Sequence, residues 1–260
     1  MPWDPSRYLQ YADERGRPFV ELLARVPADR PRRVVDLGCG PGNLTTLLSR
    51  RWPAAAVTGV DSSPEMVAAA TAAAGDGGVS YVLGDLRDWR PEEPVDVLVS
   101  NAALQWVPGH LELLPALLGT VTPGGWFAFQ VPGNFDEPSH TLRHELAADP
   151  RFAPHLHDVA SPQAFGADVY LERLAALGCT VDAWETTYLH VLAGEDPVFD
   201  WVVGTGARPT LAALPDDLRT VFEDEYRAAL RTAYPRRPHG TVLRFRRVFV
   251  VARLPAEGIA

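Results

Sequence analysis

The sequence predicts a doubly wound α/β domain, a mostly parallel sheet with helices on both faces, joined to a helical cap. Three observations predict it. Between residues 32 and 131 short β-branched or apolar runs alternate with helical patterns, the order that builds βαβ units and a parallel sheet buried on both sides. The first run opens into a glycine-rich turn, "VVDLGCGPGN", at the place where open α/β sheets bind their ligands. The second half is less regular, proline-punctuated and rich in helical patterns, as a cap would be.

Taken in order, residues 1–31 form an N-terminal arm and helix. Strands are expected at 32–38, 55–61, 79–85, 95–101 and 125–132, and helices at 42–52, 63–74 and 110–121. The helix at 63–74 has a clear start, with Ser63 able to cap and Pro64 at its first position. Residues 134–162 read as a long polar connection carrying one short helix, and connections this long are more often functional than idle. A helix follows at 162–178, stopped by Gly178, then a strand at 180–192, helices at 196–206 and 216–234, and a last strand at 240–254. The whole is one domain, 1–260. It divides into the arm, a ligand-binding core over 32–132, lid or cap segments over 133–161 and 193–240, and the remaining core helix and strands over 162–192 and 241–254.

Composition narrows the function. Hydrophobic residues at 47% and charged residues at 22% suit a globular chain, and no apolar run approaches the ~20 residues of a spanning helix. The N-terminus has no basic segment followed by an apolar one, so a cytoplasmic protein without membrane attachment is expected. A net charge of −9 without basic blocks argues against nucleic acid as a partner, and a monomer is the default assembly. Cys39 and Cys179 are far apart and outside any CxxC spacing, which disfavours a disulfide framework or thiolate zinc site. The chain has no lysine, which excludes Schiff-base chemistry, a lysine-bearing phosphate loop and a lysine base. His140 and His144 stand four apart beside Glu145, but the order HxxxHE is not the HExxH of catalytic zinc sites, so no metal is expected and these are read as polar lid residues.

The glycine turn carries most of the functional signal. Glycines let the backbone take positive φ and let a ligand press against it. Dinucleotide sites use GxGxxG with pyrophosphate at the helix N-terminus, whereas here the spacing is GxGxG and Asp36 precedes the turn. An acid repels phosphate but suits the ammonium of an amino acid. Asp61 ends the second strand, where a carboxylate can accept both ribose hydroxyls, and Asp85 ends the third, near an adenine edge. Acids at three successive strand ends suit a ligand with a cationic end, a ribose, an adenine and no phosphate. S-adenosylmethionine fits this pattern and NAD fits it poorly.

Through "VVDLGCGPGN", "GVDSSPEM", "GDLRDW", "SNAALQWV" and "TPGGWFAFQVP" the chain resembles the class I S-adenosylmethionine-dependent methyltransferases. The resemblance implies their Rossmann-like three-layer sandwich with an antiparallel last strand. A narrower resemblance, to trans-aconitate 2-methyltransferases, runs nearly full length through "WDPSRYLQYADERGRP", "PGNFDEPSH", "WETTYLHVLAGEDPV", "WVVGTGARP" and "RFRRVFVVAR". It implies methyl transfer to a carboxylate of a small polycarboxylic acid, giving a methyl ester and S-adenosylhomocysteine. Another small acceptor, or cofactor binding without catalysis, are the alternatives.

The candidate cofactor residues are Tyr8, Asp36, Gly38, Cys39, Gly40, Asn43, Asp61, Ser62, Met66, Asp85, Leu86, Asn101 and Ala102. Trp3 and Tyr11 join Tyr8 in an arm able to close over the cofactor, as arms do in related enzymes. A carboxylate acceptor is ionised at neutral pH and requires no general base, so no catalytic acid or base is expected, only proximity and orientation. Burying a polycarboxylate demands cations, and arginine binds carboxylates with a fork. The candidates are Arg208, Arg244 and Arg246, with Arg247 on the opposite face of the last strand. That strand begins near the site rim if antiparallel, which favours Arg244 and Arg246. Asn134, Tyr188, His190 and Trp106 complete the expected substrate pocket.

Overall fold

A seven-stranded sheet in the order β3-β2-β1-β4-β5-β7-β6 forms the centre of the molecule. This computed structural model describes residues 12–74, 78–157, 159 and 161–257. The strands are β1 (Arg33–Leu37), β2 (Ala56–Asp61), β3 (Val79–Leu83), β4 (Val95–Asn101), β5 (Val121–Pro132), β6 (Thr180–Leu192) and β7 (Thr241–Arg253). Neighbours among β1 to β5 pair in parallel. β7 inserts antiparallel between β5 and β6. The helices are α1 (Ala12–Ala24), α2 (Thr46–Arg51), α3 (Pro64–Ala74), α4 (His110–Leu118), α5 (Pro138–Ala147), α6 (Ala153–Leu156), α7 (Ala167–Ala176), α8 (Pro197–Val203), α9 (Arg208–Ala213) and α10 (Asp216–Ala233).

Strand alternation sorts the apolar residues into two layers. Val35, Leu37, Phe127, Phe129, Val248 and Val250 pack with Leu114 and Leu117 of α4 and with Tyr170 and Leu174 of α7. Val34, Val97, Val99, Ala128, Phe249 and Val251 pack on the other face, with Phe19 and Leu22 of α1 and Leu48 of α2. Each of the Val, Leu and Phe side chains contributes roughly 1.5–3 kcal/mol on full burial, and both faces being covered fixes the parallel strands as apolar runs. A third cluster, Phe152, Val198, Trp201, Phe222, Tyr226 and Leu230, joins α8 and α10 over the ends of β6 and β7.

Several boundaries differ from expectation for local reasons. α2 begins at Thr46 rather than 42, because Gly40 and Gly42 hold φ of 55° and 76°, outside helical space. β3 stops at Leu83, so Asp85 lies in the turn beyond it, where Trp89 N–H closes back onto Asp85 O at 2.7 Å. α4 ends at Leu118 and the chain joins the sheet at Val121, with an irregularity opposite Val95 and Val97 before regular pairing resumes at Trp126. The connection after β5 holds two helices, α5 and α6, and a helix not foreseen, α9, follows α8.

Candidate functional site

The glycine turn leaves β1 with its backbone anchored to the neighbouring strand. Gly38 N–H and Cys39 N–H both donate to Val60 O, at 2.7 and 3.0 Å. Gly40 N–H donates to Asp61 Oδ2 at 2.8 Å. A Cβ on Gly38 would fall 2.3 Å from Ala103 Cβ, and one on Gly42 2.4 Å from the Tyr81 hydroxyl, both at positive φ. A Cβ on Gly40 would meet nothing within 4 Å, because that backbone opens onto a cavity.

Asp36 sits at the floor of this turn, 2% exposed. The Thr45 hydroxyl donates to its Oδ2 at 2.6 Å, while Oδ1 has no hydrogen-bond partner in the protein. Burial pushes its carboxyl up to about 6, with the nearby Asp61 adding to the rise against the lowering bond from Thr45. A buried acid with one oxygen unpaired within the protein calls for a cationic or hydrogen-bond-donating ligand. Burial, reinforced by Asp36 and Asp61, also pushes the Cys39 thiol up, so it packs as an inert small side chain.

Asp61 is held by its backbone neighbours. Oδ1 accepts from Ser63 N–H at 2.9 Å and Oδ2 from Gly40, leaving each oxygen a second lone pair toward the cavity. Asp85 is clasped by Arg87, whose Nε and Nη2 donate at 2.9 and 2.6 Å. That fork holds its carboxyl near 2, well below the usual range. Ala102, after β4, is the one non-glycine residue with positive φ among the described residues, at 54°. Its strained backbone is tied down on both sides: its N–H donates to Gln130 O at 2.9 Å and its carbonyl accepts Gln105 Nε2 at 2.6 Å.

These groups surround one end of a cavity of about 730 Å³, within the ~300–1,000 Å³ of small-molecule sites. The other end is built by β5, β7, α5 and the α8–α9 segment. Arg208, Arg247, Asn134, Ser139, His140 and Trp106 line it. Arg247, 6% exposed, donates from Nη1 to Gln130 Oε1 at 3.2 Å, and Gln130 Nε2 donates to Asn101 Oδ1 at 2.6 Å. A relay therefore runs from the arginine to the end of β4. His140 is pushed down to about 3, first by burial and then by Arg143 and His144, so it is a neutral ring. The cavity is thus polarised, with Asp36, Asp61 and the Arg87-paired Asp85 at the glycine turn, and Arg208 of the cap and Arg247 of the sheet at the other end.

Among the sequence candidates, Asp36, Gly38, Cys39, Gly40, Asn43, Asp61, Ser62, Met66, Asp85, Leu86, Asn101 and Ala102 all line this cavity, as do Arg208, Asn134 and Trp106. Tyr8, with Trp3 and Tyr11, lies outside the described residues. The favoured arginines of β7 are corrected. Arg246 points away, donating from Nε to Gly133 O at 2.6 Å and from Nη1 to Glu185 at 3.1 Å. Arg244 is 62% exposed, 3.9 Å from Glu137. Strand parity puts Phe245 and Arg247 on the cavity face instead. Tyr188 and His190 share that parity, but on the edge strand β6 they sink into the core. Tyr188 donates to Glu21 at 2.7 Å, and the His190 ring stacks on Trp201 at 4.8 Å.

The sequence did not single out Gln130, Phe135, Ser139 or Phe245 for the site, and His140 read as a lid residue only. The buried amide of Gln130 inside the apolar "FAFQVP" run is a signal that could have found the Arg247 relay. Among the described residues no three His, Cys, Asp or Glu side chains are placed to hold a metal ion, and no helix is long and apolar enough to cross a membrane.

Known proteins are similar to this chain in sequence and in fold. A methyltransferase-domain family model matches residues 34–125. The chain is 54% identical to the trans-aconitate 2-methyltransferase of Streptomyces avermitilis, over 98% of this chain and 97% of that one. It is 53% identical to the trans-aconitate 2-methyltransferase of Mycolicibacterium gilvum, over 97% and 99%. Among solved structures it is similar in fold to an S-adenosylmethionine-dependent methyltransferase from Mesorhizobium loti, with a TM-score of 0.51 and 22% identity over 90% of this chain and 96% of that one.

Proposed function

This chain belongs to the trans-aconitate 2-methyltransferase family, and on that premise we propose that it methylates one carboxylate of trans-aconitate, using S-adenosylmethionine and forming a methyl ester. The observation that carries the reading is the polarised cavity, with Asp36, Asp61 and Asp85 at one end and Arg208 and Arg247 at the other.

The acid end fits the methyl donor. The Oδ1 of Asp36, without a hydrogen-bond partner in the protein, matches an ammonium, and the bare backbone at Gly40 gives a ligand close approach. Asp61, with lone pairs to spare, suits ribose hydroxyls, and Asp85 with Leu86 borders the place for the adenine. Asn43, Ser62, Met66, Asn101 and Ala102 complete the wall; Tyr8, outside the described residues, is proposed from the sequence alone as a further cofactor contact. When bound, S-adenosylmethionine supplies an electrophilic methyl carbon on a sulfonium sulfur.

The protein's contribution is placement. Arg208 and Arg247 neutralise carboxylates that would otherwise be costly to bury, and their forks fix orientation. The reacting carboxylate is ionised at neutral pH and gives up no proton. Asn101 and Ala102, braced by Gln130 and Gln105, and Trp106 flank the junction between the two ends, where alignment and exclusion of water accelerate transfer. The same reading carries a cytoplasmic, monomeric enzyme acting on a diffusible acid rather than on nucleic acid or membrane; the net charge of −9 supports the part about nucleic acid.

Mass spectrometry of trans-aconitate incubated with the protein and S-adenosylmethionine tests the proposal, with cis-aconitate, citrate and isocitrate in parallel. The expected result is a trans-aconitate species heavier by one methyl, formed together with S-adenosylhomocysteine. Cofactor binding with no methylated acid would overturn it.

A further inference from the structure

The first turn of α5 is built with more care than a simple lid needs. Ser139 and His140 line the cavity and are 1% and 7% exposed. Ser139 Oγ and His140 Nδ1 have no hydrogen-bond partner in the protein. Buried polar atoms without a protein partner are costly, and a cluster of them at a cavity marks where a ligand completes the bonding.

Two tyrosines, Tyr226 of α10 and Tyr234 just after it, converge on this turn. The Tyr226 hydroxyl donates to Ser139 O, and the Tyr234 hydroxyl accepts from Ser139 N–H at 3.0 Å. The backbone of Ser139 is thereby bracketed from the cap. The turn is also locked to the start of α9. Arg143 of α5, 3% exposed, donates to Gly206 O at 2.6 Å and to Thr210 Oγ1 at 3.1 Å. His140 lies so close to Gly206 that a Cβ there would stand 3.1 Å from its ring. Two residues on is Arg208. Ser139, His140 and Arg208 therefore belong to one wall, while Arg247 belongs to the sheet.

Charge matching gives the wall its ligand. The acceptor has three carboxylates, and three cations meet it: Arg208, Arg247 and the sulfonium of the methyl donor. The groups added by α5 are neutral, and neutral donors sharpen the fit of a carboxylate already paired with arginine without unbalancing the charge.

We propose that the first turn of α5 is the specificity wall of the acceptor site. Ser139 Oγ and the His140 ring hydrogen-bond the non-reacting carboxylate that Arg208 neutralises, and Tyr226 and Tyr234 are positioning residues that hold the turn. The inference rests on the proposed methylation of trans-aconitate and adds which residues read one carboxylate of it.

The test compares wild type with Ser139→Ala, His140→Phe and Tyr226→Phe. Initial rates are measured with trans-aconitate. Inhibition constants are measured for itaconate, mesaconate and cis-glutaconate, each lacking a different one of the three carboxylates. Affinity for S-adenosylhomocysteine, by calorimetry, reports that the fold is intact. The loss of one hydrogen bond to a charged group should raise KM for trans-aconitate about tenfold or more in Ser139→Ala and His140→Phe, with a smaller rise in Tyr226→Phe and unchanged S-adenosylhomocysteine affinity. The penalty should vanish for one dicarboxylate, the one that lacks the carboxylate held by the wall, and persist for the other two. An unchanged KM, or a penalty equal across all three inhibitors, overturns the wall. If Ser139→Ala loses S-adenosylhomocysteine affinity, His140→Phe and Tyr226→Phe decide the matter by the same criteria. A wild type that methylates no tricarboxylate sinks the reaction itself, whereas an active wild type with indifferent variants sinks only the wall.

Discussion

Replacing Arg247 with methionine removes the cation of the sheet wall while keeping an unbranched apolar side chain over the Phe245 ring, which the guanidinium now covers at 4.4 Å. In this structure the guanidinium is almost wholly buried, on the cavity face of β7, and is steered by Gln130. A fork on a carboxylate makes two charge-assisted hydrogen bonds, each worth about 1.5–3 kcal/mol. Part of that loss is recovered because the buried cation's own desolvation cost disappears with it. A net loss of about 3 kcal/mol corresponds to about 150-fold in kcat/KM for the acceptor, at 1.36 kcal/mol per tenfold. The acid end of the cavity is untouched, so KM for S-adenosylmethionine should stay within about threefold. Arg247→Lys keeps the charge without the fork and should fall between wild type and Arg247→Met. Arg244→Met, at a site 62% exposed, should behave as wild type, since exposed substitutions usually stay within about 0.5 kcal/mol. Steady-state kinetics with each substrate varied in turn reads all of this. An acceptor kcat/KM for Arg247→Met within threefold of wild type, or a larger loss in Arg244→Met, would refute the assignment of β7's inner face.

Two further outcomes follow from the glycine turn. The buried Asp36 titrates near 6 instead of 3.8, so the folded chain keeps a proton that the unfolded chain releases between those values. Stability should therefore fall by roughly 3 kcal/mol as pH rises from about 4 to about 6 and level off above. Affinity for S-adenosylhomocysteine, whose ammonium wants the ionised form, should rise through the same window. Asp36→Asn should flatten both curves in denaturant melts and calorimetry, and an unchanged pH dependence in that variant would remove Asp36 from the account. Gly42→Ala places a Cβ 2.4 Å from the Tyr81 hydroxyl at a φ of 76°. Left-handed strain of about 1–2 kcal/mol and overpacking of about 1–3 kcal/mol should lower Tm by about 10 °C and weaken cofactor binding, and a variant melting with wild type would show that the turn can relax.

How much of this was legible in the chain differs between its two ends. The acid end follows from local rules: β1 must stop before Gly38, whose φ is positive, and in a parallel sheet the carboxyl end of every strand falls on the same edge. Asp36, Asp61 and Asn101 could therefore be placed together from spacing alone, and Asp85 missed its strand end by only two residues. The arginine end depends on which face of β7 meets the cavity. Parity separates Arg244 and Arg246 from Arg247, but both faces of this strand are covered, and "LRFRRVF" offers a cation to each. Only the pairing of Pro132 with Arg247 turns Arg247 to the cavity side. Tyr188 and His190 show the same limit on β6, where α1 and the cap take the face that was expected to meet substrate. Ser139 and His140 were hidden differently. Their importance comes from α10 folding back more than 80 residues later, and nothing near them in the chain announces that contact.

A crystal structure of the protein with S-adenosylhomocysteine and trans-aconitate bound together tests the central claim most directly. The amino-acid and ribose groups should lie at Asp36 and Asp61, one carboxylate on Arg208 with Ser139 and His140, a second on Arg247, and the third facing the sulfur. Trans-aconitate bound away from Arg208 and Arg247, or on the outer arginines Arg244 and Arg246, would contradict it.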